Sequence, residues 1–322
     1  MNNDNRELLR ATAGSDAESI ENRRALAQVL ESVWKQGVLE PGTIDSVFSR
    51  IDIAPGVDAK FPLDFLTPEA GDSDRFNAVV IPAEGAMPIR KIDGDELHVP
   101  TYKISNSIAW NLDYARDARW DVISRAIEVF TNGFTKKMNL DGWHTILAAA
   151  GATQTRDTGA AAGAFTKALV TEMQVAMKRQ EGGRESRLTD LFLSPEAIAD
   201  IRKFDGDIVD EGTLRALLNH DGEEPIPSLY GVTLHELLEL GAGQDYTNYY
   251  TSTLGNTIGG SDTEICIGLD LQKRDSFVMP VREDMQMFDD ASLHRSGEAG
   301  VYGWMQLGFA VLDARRVILG SF

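Results

Sequence analysis

The chain is short of the residues that most often announce chemistry. It has one cysteine, Cys266, in 322 residues. That excludes an intrachain disulfide and any zinc site built from several thiolates. Cys266 sits in the apolar run EICIGL and reads as a buried small hydrophobe, not a reactive thiol. No apolar run approaches the ~18 residues that a membrane helix needs. The start, MNNDNRELLRATAGSDAES, lacks the apolar stretch behind a basic head that marks a secretion signal. Positive charge is also scarce. Lys and Arg number 31 against 50 Asp and Glu, a formal charge of −19. Such a surface repels phosphate and argues against ordinary DNA or RNA binding. More than half of the excess falls in residues 151–275, and the plain reading is a charge-stabilised, solvated surface.

Catalytic and ligand motifs are missing too. The five histidines, His98, His144, His220, His235 and His294, are never within four residues of one another. HELLE at 235–239 has the first half of a metalloprotease helix, but Glu239 stands where the second histidine belongs. GEAGVYG leads into a strand and not into a helix, so it cannot capture an anion at a helix N-terminus. FDGDIVDEG has Asp210 where a calcium loop needs glycine. No G-x-S-x-G elbow is present. Glu223-Glu224 and Asp289-Asp290 are neighbours in sequence only. No catalytic residue, cofactor or metal ligand is therefore expected.

What is present is an order of elements. Leu26, Val29, Leu30, Val33 and Trp34 recur at helical spacing, and a second short helix carries Ile44, Val47, Phe48 and Ile51. A Pro-, Gly- and Asp-rich connection follows. Asp93-Gly94 is a two-residue hairpin signal, with Pro82, Pro88 and Pro100 in its arms. Proline cannot donate to a ladder, so these strands are not central in a sheet. An isolated hairpin is marginal in water. Three placements suit it: across its own body as a flap, onto a neighbouring chain, or as an ordinary surface hairpin. Trp120, Ile123, Ile127, Phe130, Phe134 and Met138 then mark one long helix within 111–150, with a break or kink expected at Gly142. Residues 151–275 alternate strand and helix signals as a compact α/β unit. They include a helix over 165–181 with Phe165, Leu169, Met173, Ala176 and Met177 on one face. LTDLFLSP is a buried strand that leads into a helix capped by Ser194 with Pro195 first. IPSLYGVTLHE suggests a further strand, and GAGQDYTNYYTSTLGNTIGGSD reads as a polar loop. The end is all strand: FVMPV, MQMFD, VYGWMQLGFAVLD and RVILG. The last of these is expected to pack beside the long helix.

That order resembles the major capsid proteins of tailed bacteriophages with the Hong Kong 97-type fold. The most telling part is the closing stretch, with Gly308, Val311, Leu312, Arg315 and Arg316 in a strand, turn and Arg-bearing final strand. The resemblance implies an α+β fold with an N-terminal arm (1–58), an extended hairpin or E-loop (59–106), and a peripheral domain with a spine helix (107–150). An axial α/β domain (151–275) and closing peripheral strands with the C-terminal strand (276–322) complete it. It also implies hexamers and pentamers of this chain in an icosahedral shell around DNA, without specific recognition of that DNA and without a membrane. Portal, cement and separate scaffolding proteins are the implied partners. The implied location is the virion, after assembly in the host cytoplasm. Only about 20 polar residues precede the first helix, which is why a separate scaffold or an already processed chain is implied. Lys91 is a conceivable cross-link donor, but its asparagine and glutamate partners are not identifiable, and that chemistry is not carried over. Inter-subunit contacts are expected at Arg90, Lys91, Asp93, Asp95 and Glu96 on the hairpin tip. Others are expected at Gln244, Asp245 and Tyr246, near a capsomer axis. Physics agrees with a tiled wall, because arms and hairpins that cannot fold alone gain burial on assembly. Two rivals stand beside it. One is a nanocompartment (encapsulin-like) shell of the same fold. The other is a soluble α/β enzyme with a hairpin lid and a substrate loop at QDYTNYY.

Overall fold

The computed structural model describes residues 43–54, 56–62, 96–111, 122–151, 155–157, 163–179, 186–204, 228–259, 262–272 and 274–322. The helix expected near residues 17–35, the Asp93-Gly94 turn, Trp120 and residues 205–212 of the FDGDIVDEG segment lie outside them, as do the side chains of Ile123 and Ile127. In chain order the elements are α1 (Thr43–Val47), β1 (Ser49–Asp52), β2 (Lys60–Pro62), β3 (Glu96–His98), β4 (Tyr102–Asn111), α2 (Val122–Ala150), β5 (Thr155–Asp157), α3 (Lys167–Lys178), β6 (Asp190–Leu193), α4 (Pro195–Ile201), β7 (Ser228–Leu229), β8 (Val232–Glu236), α5 (Asp245–Asn248), β9 (Ile265–Leu269), β10 (Phe277–Asp289), β11 (Glu298–Leu307), β12 (Ala310–Val311) and β13 (Val317–Ser321). The chain divides into two compact units.

The first unit takes in His98–Gly142, Val278–Phe309 and the described residues up to Ala59. Its sheet runs β1-β10-β11-β4. β1 pairs parallel with β10, while β11 pairs antiparallel with β10 and, over ten consecutive residues, with β4. Residues 107–111, grouped with the helix on sequence, are therefore strand. In β11, Val301, Gly303, Met305 and Leu307 alternate inward, as a half-buried antiparallel strand requires. Phe130, Phe134 and Met138 of α2 are buried in this core. FVMPV and MQMFD form one continuous strand, β10, rather than two.

Gly133 and Gly142 do not break α2, which is unbroken over 29 residues, about 44 Å at 1.5 Å per residue. The two glycines let neighbours approach instead. A Cβ at Gly133 would sit 2.6 Å from Asn106 Nδ2, and one at Gly142 would overlap Ile44. Asn106 uses that space to donate from Nδ2 to the Phe130 carbonyl (3.1 Å). Ile44 brings α1 against the helix, where its amide reaches Asn139 Oδ1 at 3.4 Å.

The second unit takes in Trp143–Phe277 and Ala310–Phe322, with Lys60–Pro62 and Glu96–Leu97 grouped to it. Its sheet runs β5-β13-β9-β6-β8-β7 and mixes parallel and antiparallel pairs. β6, β9 and β13 are buried almost throughout, the mark of strands covered on both faces. Leu191 and Leu193 join Phe165, Leu169, Met173 and Met177 from α3 and its approach, and Ile198 and Ile201 from α4. Phe192, one residue out of phase, meets Trp143 edge-on with ring centroids 4.6 Å apart. Ser194 caps α4 as expected and accepts from Ala197 N at 3.1 Å. The final strand is a sheet strand, as expected. β13 lies between β5 and β9 and packs on α3. The reason is composition: VILGS is apolar on both faces, which suits a central strand.

Candidate functional site

Among the described residues no group of three His, Cys, Asp or Glu side chains could hold a metal. His235 lies on β8, not on a helix, and its Nε2 meets Asp190 Oδ1 at 2.8 Å. Cys266 is fully buried beside Met173, and burial pushes its thiol up to about 12. Gly300 and Gly303 serve the sheet. A Cβ at either would come within 2.8 Å of a backbone oxygen on a neighbouring strand. The features with a functional character are surfaces.

One surface is the turn-and-helix segment after β8. The sequence reads it as a loop. It is instead the short helix α5 running on into a π-helical turn, Tyr249–Thr253. Tyr246 and Tyr250 point inward; Tyr246 is 2% exposed and meets Trp143 and His144. Burial, with Glu239 and Asp245 nearby, raises the Tyr246 hydroxyl well above the usual phenol range. Tyr249 lies flat on the His144 ring, 3.6 Å between centroids and 6° between planes. Inward tyrosines at positions 246 and 250 leave the outside of the segment to Gln244 and Asp245, both exposed. Just ahead of them stands Leu238, 70% exposed. A lone exposed leucine needs no explanation. This one crowns a turn braced by Tyr246 N–H to the Glu239 carbonyl (3.2 Å) and Asn248 Nδ2 to the Gly243 carbonyl (2.8 Å). Sequence reading missed Leu238, since LHELLEL carries no sign of which leucine faces out.

A second surface is the outer face of the first unit's sheet. Phe288, Tyr302 and Trp304 stack there, with ring centroids 4.6–5.7 Å apart. Cross-strand pairing of Phe288 with Tyr302 sets the row. Lys103 sits over Trp304 at 5.7 Å and pairs with Glu283 at 3.3 Å.

The third is the two-stranded sheet in which β2 pairs with β3. Lys60 and Glu96 stand 4.0 Å apart, both well exposed. Glu96 is thus placed on an exposed strand. Arg90, Lys91, Asp93 and Asp95 lie outside the described residues.

No protein-family model and no curated protein sequence matches the chain. Solved structures do. A chain from the capsid of a native GTA particle aligns over 87% of this chain and 90% of its own, with a TM-score of 0.57 at 13% identity. A chain from the capsid of cyanophage P-SCSP1u aligns over 85% and 86%, at 0.56 and 14%. A chain of the holo-SrpI encapsulin complex of Synechococcus elongatus PCC 7942 aligns over 87% and 87%, at 0.53 and 10%. The fold is the Hong Kong 97-type capsid fold.

In this Hong Kong 97-type chain the sequence candidates divide in two. Glu96 belongs to the β2-β3 pair, and Gln244 and Asp245 to the Leu238 turn. Tyr246 holds that turn from within, so its side chain is a prop and not an outward contact.

Proposed function

We propose that the chain is a major capsid protein. Copies of it assemble as hexamers and pentamers into an icosahedral shell that encloses phage double-stranded DNA. The observation that carries this reading is the extent of the likeness: 85–90% of both chains for capsid subunits of the cyanophage and of the GTA particle. The net charge of −19 suits a container whose wall must not hold nucleic acid tightly. On this reading residues 59–106 are the E-loop, 107–150 belong to the peripheral domain, and 151–275 are the axial domain. The contacts between copies fall on Arg90, Lys91, Asp93, Asp95 and Glu96 and on the turn with Leu238, Gln244 and Asp245. Portal, scaffolding and cement proteins are partners, and the virion is the location. No reaction is ascribed to the chain.

The encapsulin match favours one second reading, a cellular nanocompartment shell. Negative-stain electron microscopy of the purified protein, with light scattering, tests assembly. Closed shells or rings of five and six are expected. A monodisperse monomer or dimer, unchanged at high concentration and with a scaffold partner supplied, would refute both shell readings. Nuclease-protected DNA inside particles from the natural source supports the capsid; a co-purifying enzyme held by a peptide on the inner wall supports the nanocompartment.

A further inference from the structure

We propose that the outer edge of β4 is a docking edge for β4 of a second copy of this chain, the two strands pairing antiparallel about Ser107. Among the described residues β4 pairs with β11 on one side and with no strand on the other. Its residues match β11 one for one without a shift. Two observations show which backbone groups point away. The Ser107 amide donates to Asn106 Oδ1, an acceptor on its own strand, at 2.9 Å. The Ile108 carbonyl lies 2.8 Å from where a Cβ on Gly300 would stand, so it points towards β11. Hydrogen-bonding direction alternates along a strand. The N–H and C=O groups of Ser105, Ser107 and Ala109 therefore line the outer edge.

An edge strand is ordinarily blunted by proline, a bulge or a run of charge. Residues 104–111, ISNSIAWN, have none of these. In a chain with 50 Asp and Glu, β4 contains neither; its one charge is Lys103. Copies can therefore meet here without the repulsion that a net charge of −19 brings elsewhere. A two-fold axis at Ser107 puts Ser105 opposite Ala109 and Lys103 opposite Asn111, so no like charges face each other across the pair. That self-complementarity is what an isologous contact requires, and it commits the edge to a second copy. On the inner face Ile108 and Trp110 are only partly buried, and the added strand covers them. Asn106 guards the edge in the lone subunit. Its Oδ1 satisfies the central Ser107 amide while its Nδ2 stays on the Phe130 carbonyl at 3.1 Å. Pairing replaces that local acceptor with the Ser107 carbonyl of the second copy.

The pairing is a property of two subunits and does not depend on a closed shell. Within the shell reading it adds a contact to those already proposed, because the two-fold axes of an icosahedral wall are where the same strand of two copies meets. Two strands of this length bury less than the ~1,000 Å² that holds a lone dimer, so the fitting test traps the pair covalently.

Cysteine placement in the full-length protein, with oxidised glutathione as the oxidant, is that test. The native Cys266 is buried and gives no background. In Ser107→Cys the two thiols face each other in a hydrogen-bonded pair, about 5.5 Å between Cα atoms, within disulfide reach. In Ser105→Cys the thiols of the two copies stand about 14 Å apart along the strands and do not join. Mixing Ser105→Cys with Ala109→Cys brings opposite positions together and gives the mixed dimer. The expected result is at least about tenfold more disulfide dimer from Ser107→Cys, and from the mixture, than from Ser105→Cys alone. Equal linking in all three means random collision and overturns the proposal. So does the absence of linking, whether the edge is bare or holds another segment. Normal shells without the Ser107→Cys link refute the pairing and leave the shell reading standing. Linked dimers that never form shells refute the shell reading and leave the pairing.

Discussion

Arg316 and Asp270 form an ion pair with each side chain 2% exposed, and Asp313 lies 3.6 Å from the same guanidinium. Removing one partner strands the other without water. Asp270→Ala should cost about 3–5 kcal/mol, as breaking buried pairs does, and urea denaturation reads it directly. Asp313 adds an acid limit. Burial pushes its carboxyl up, but hydrogen bonds and charge from Arg315, with Arg316 behind, hold it below the usual range. Its contribution is complete above its ordinary value of 3.8 and disappears as pH falls through the depressed value. Asp313→Asn should therefore flatten the low-pH limb of the melting profile while lowering stability at neutral pH. An acid limb of unchanged steepness in that variant would show that Asp313 does not set it.

At the scale of elements, Gly142 separates propensity from packing. In an exposed helix, glycine to alanine gains about 1 kcal/mol. Here the new methyl meets buried Ile44, and overpacking typically costs about 1–3 kcal/mol. Gly142→Ala should lower the melting temperature, and Ile44→Ala should cost less in that background than alone, a coupling that a double-mutant cycle reads. A stabilised single variant would mean that α1 yields freely. This glycine also shows what one sequence hides. Periodicity at Phe130, Phe134 and Met138 locates α2, because a helix shows its buried stripe. Whether a glycine interrupts or admits a neighbour depends on Ile44, almost 100 residues away, and no local pattern encodes that. The Ser194-Pro195 cap is legible because its hydrogen bond is local. The hairpin at Tyr230-Gly231, with φ of 52° and 77°, is not: the turn lacks the Asn-Gly that usually signals it. The segment at 245–253 reads as loop because its tyrosines, threonines and asparagine are weak helix formers. Burial of Tyr246 and Tyr250 overrides that preference.

For the molecule as a whole, assembly should depend on residues that the subunit itself does not need. Leu238 is the sharpest case. Leu238→Asp should change subunit stability by no more than about 0.5 kcal/mol, as surface substitutions do. On the proposed reading it should abolish rings and shells in the electron microscope, because it places a charge in the contact assigned to that turn. Normal shells from that variant would move the axis contacts elsewhere.

The position of β13 has a consequence in time. β5, at 155–157, reaches the rest of its sheet only through β13, at 317–321, which also flanks β9. A ribosome therefore emits most of the second unit before the strand that completes its sheet exists. Until residue 321 emerges, Cys266, Ile267 and Leu269 of β9 lack the partner strand on one side. Contacts that span so much chain form late and slowly. Nascent chains arrested before residue 317 should be protease-sensitive within 186–204 and 262–272 and become resistant there once 321 clears the exit tunnel. Two strands more than 100 residues apart in sequence, β5 and β9, thus wait on the same five residues before they share a sheet.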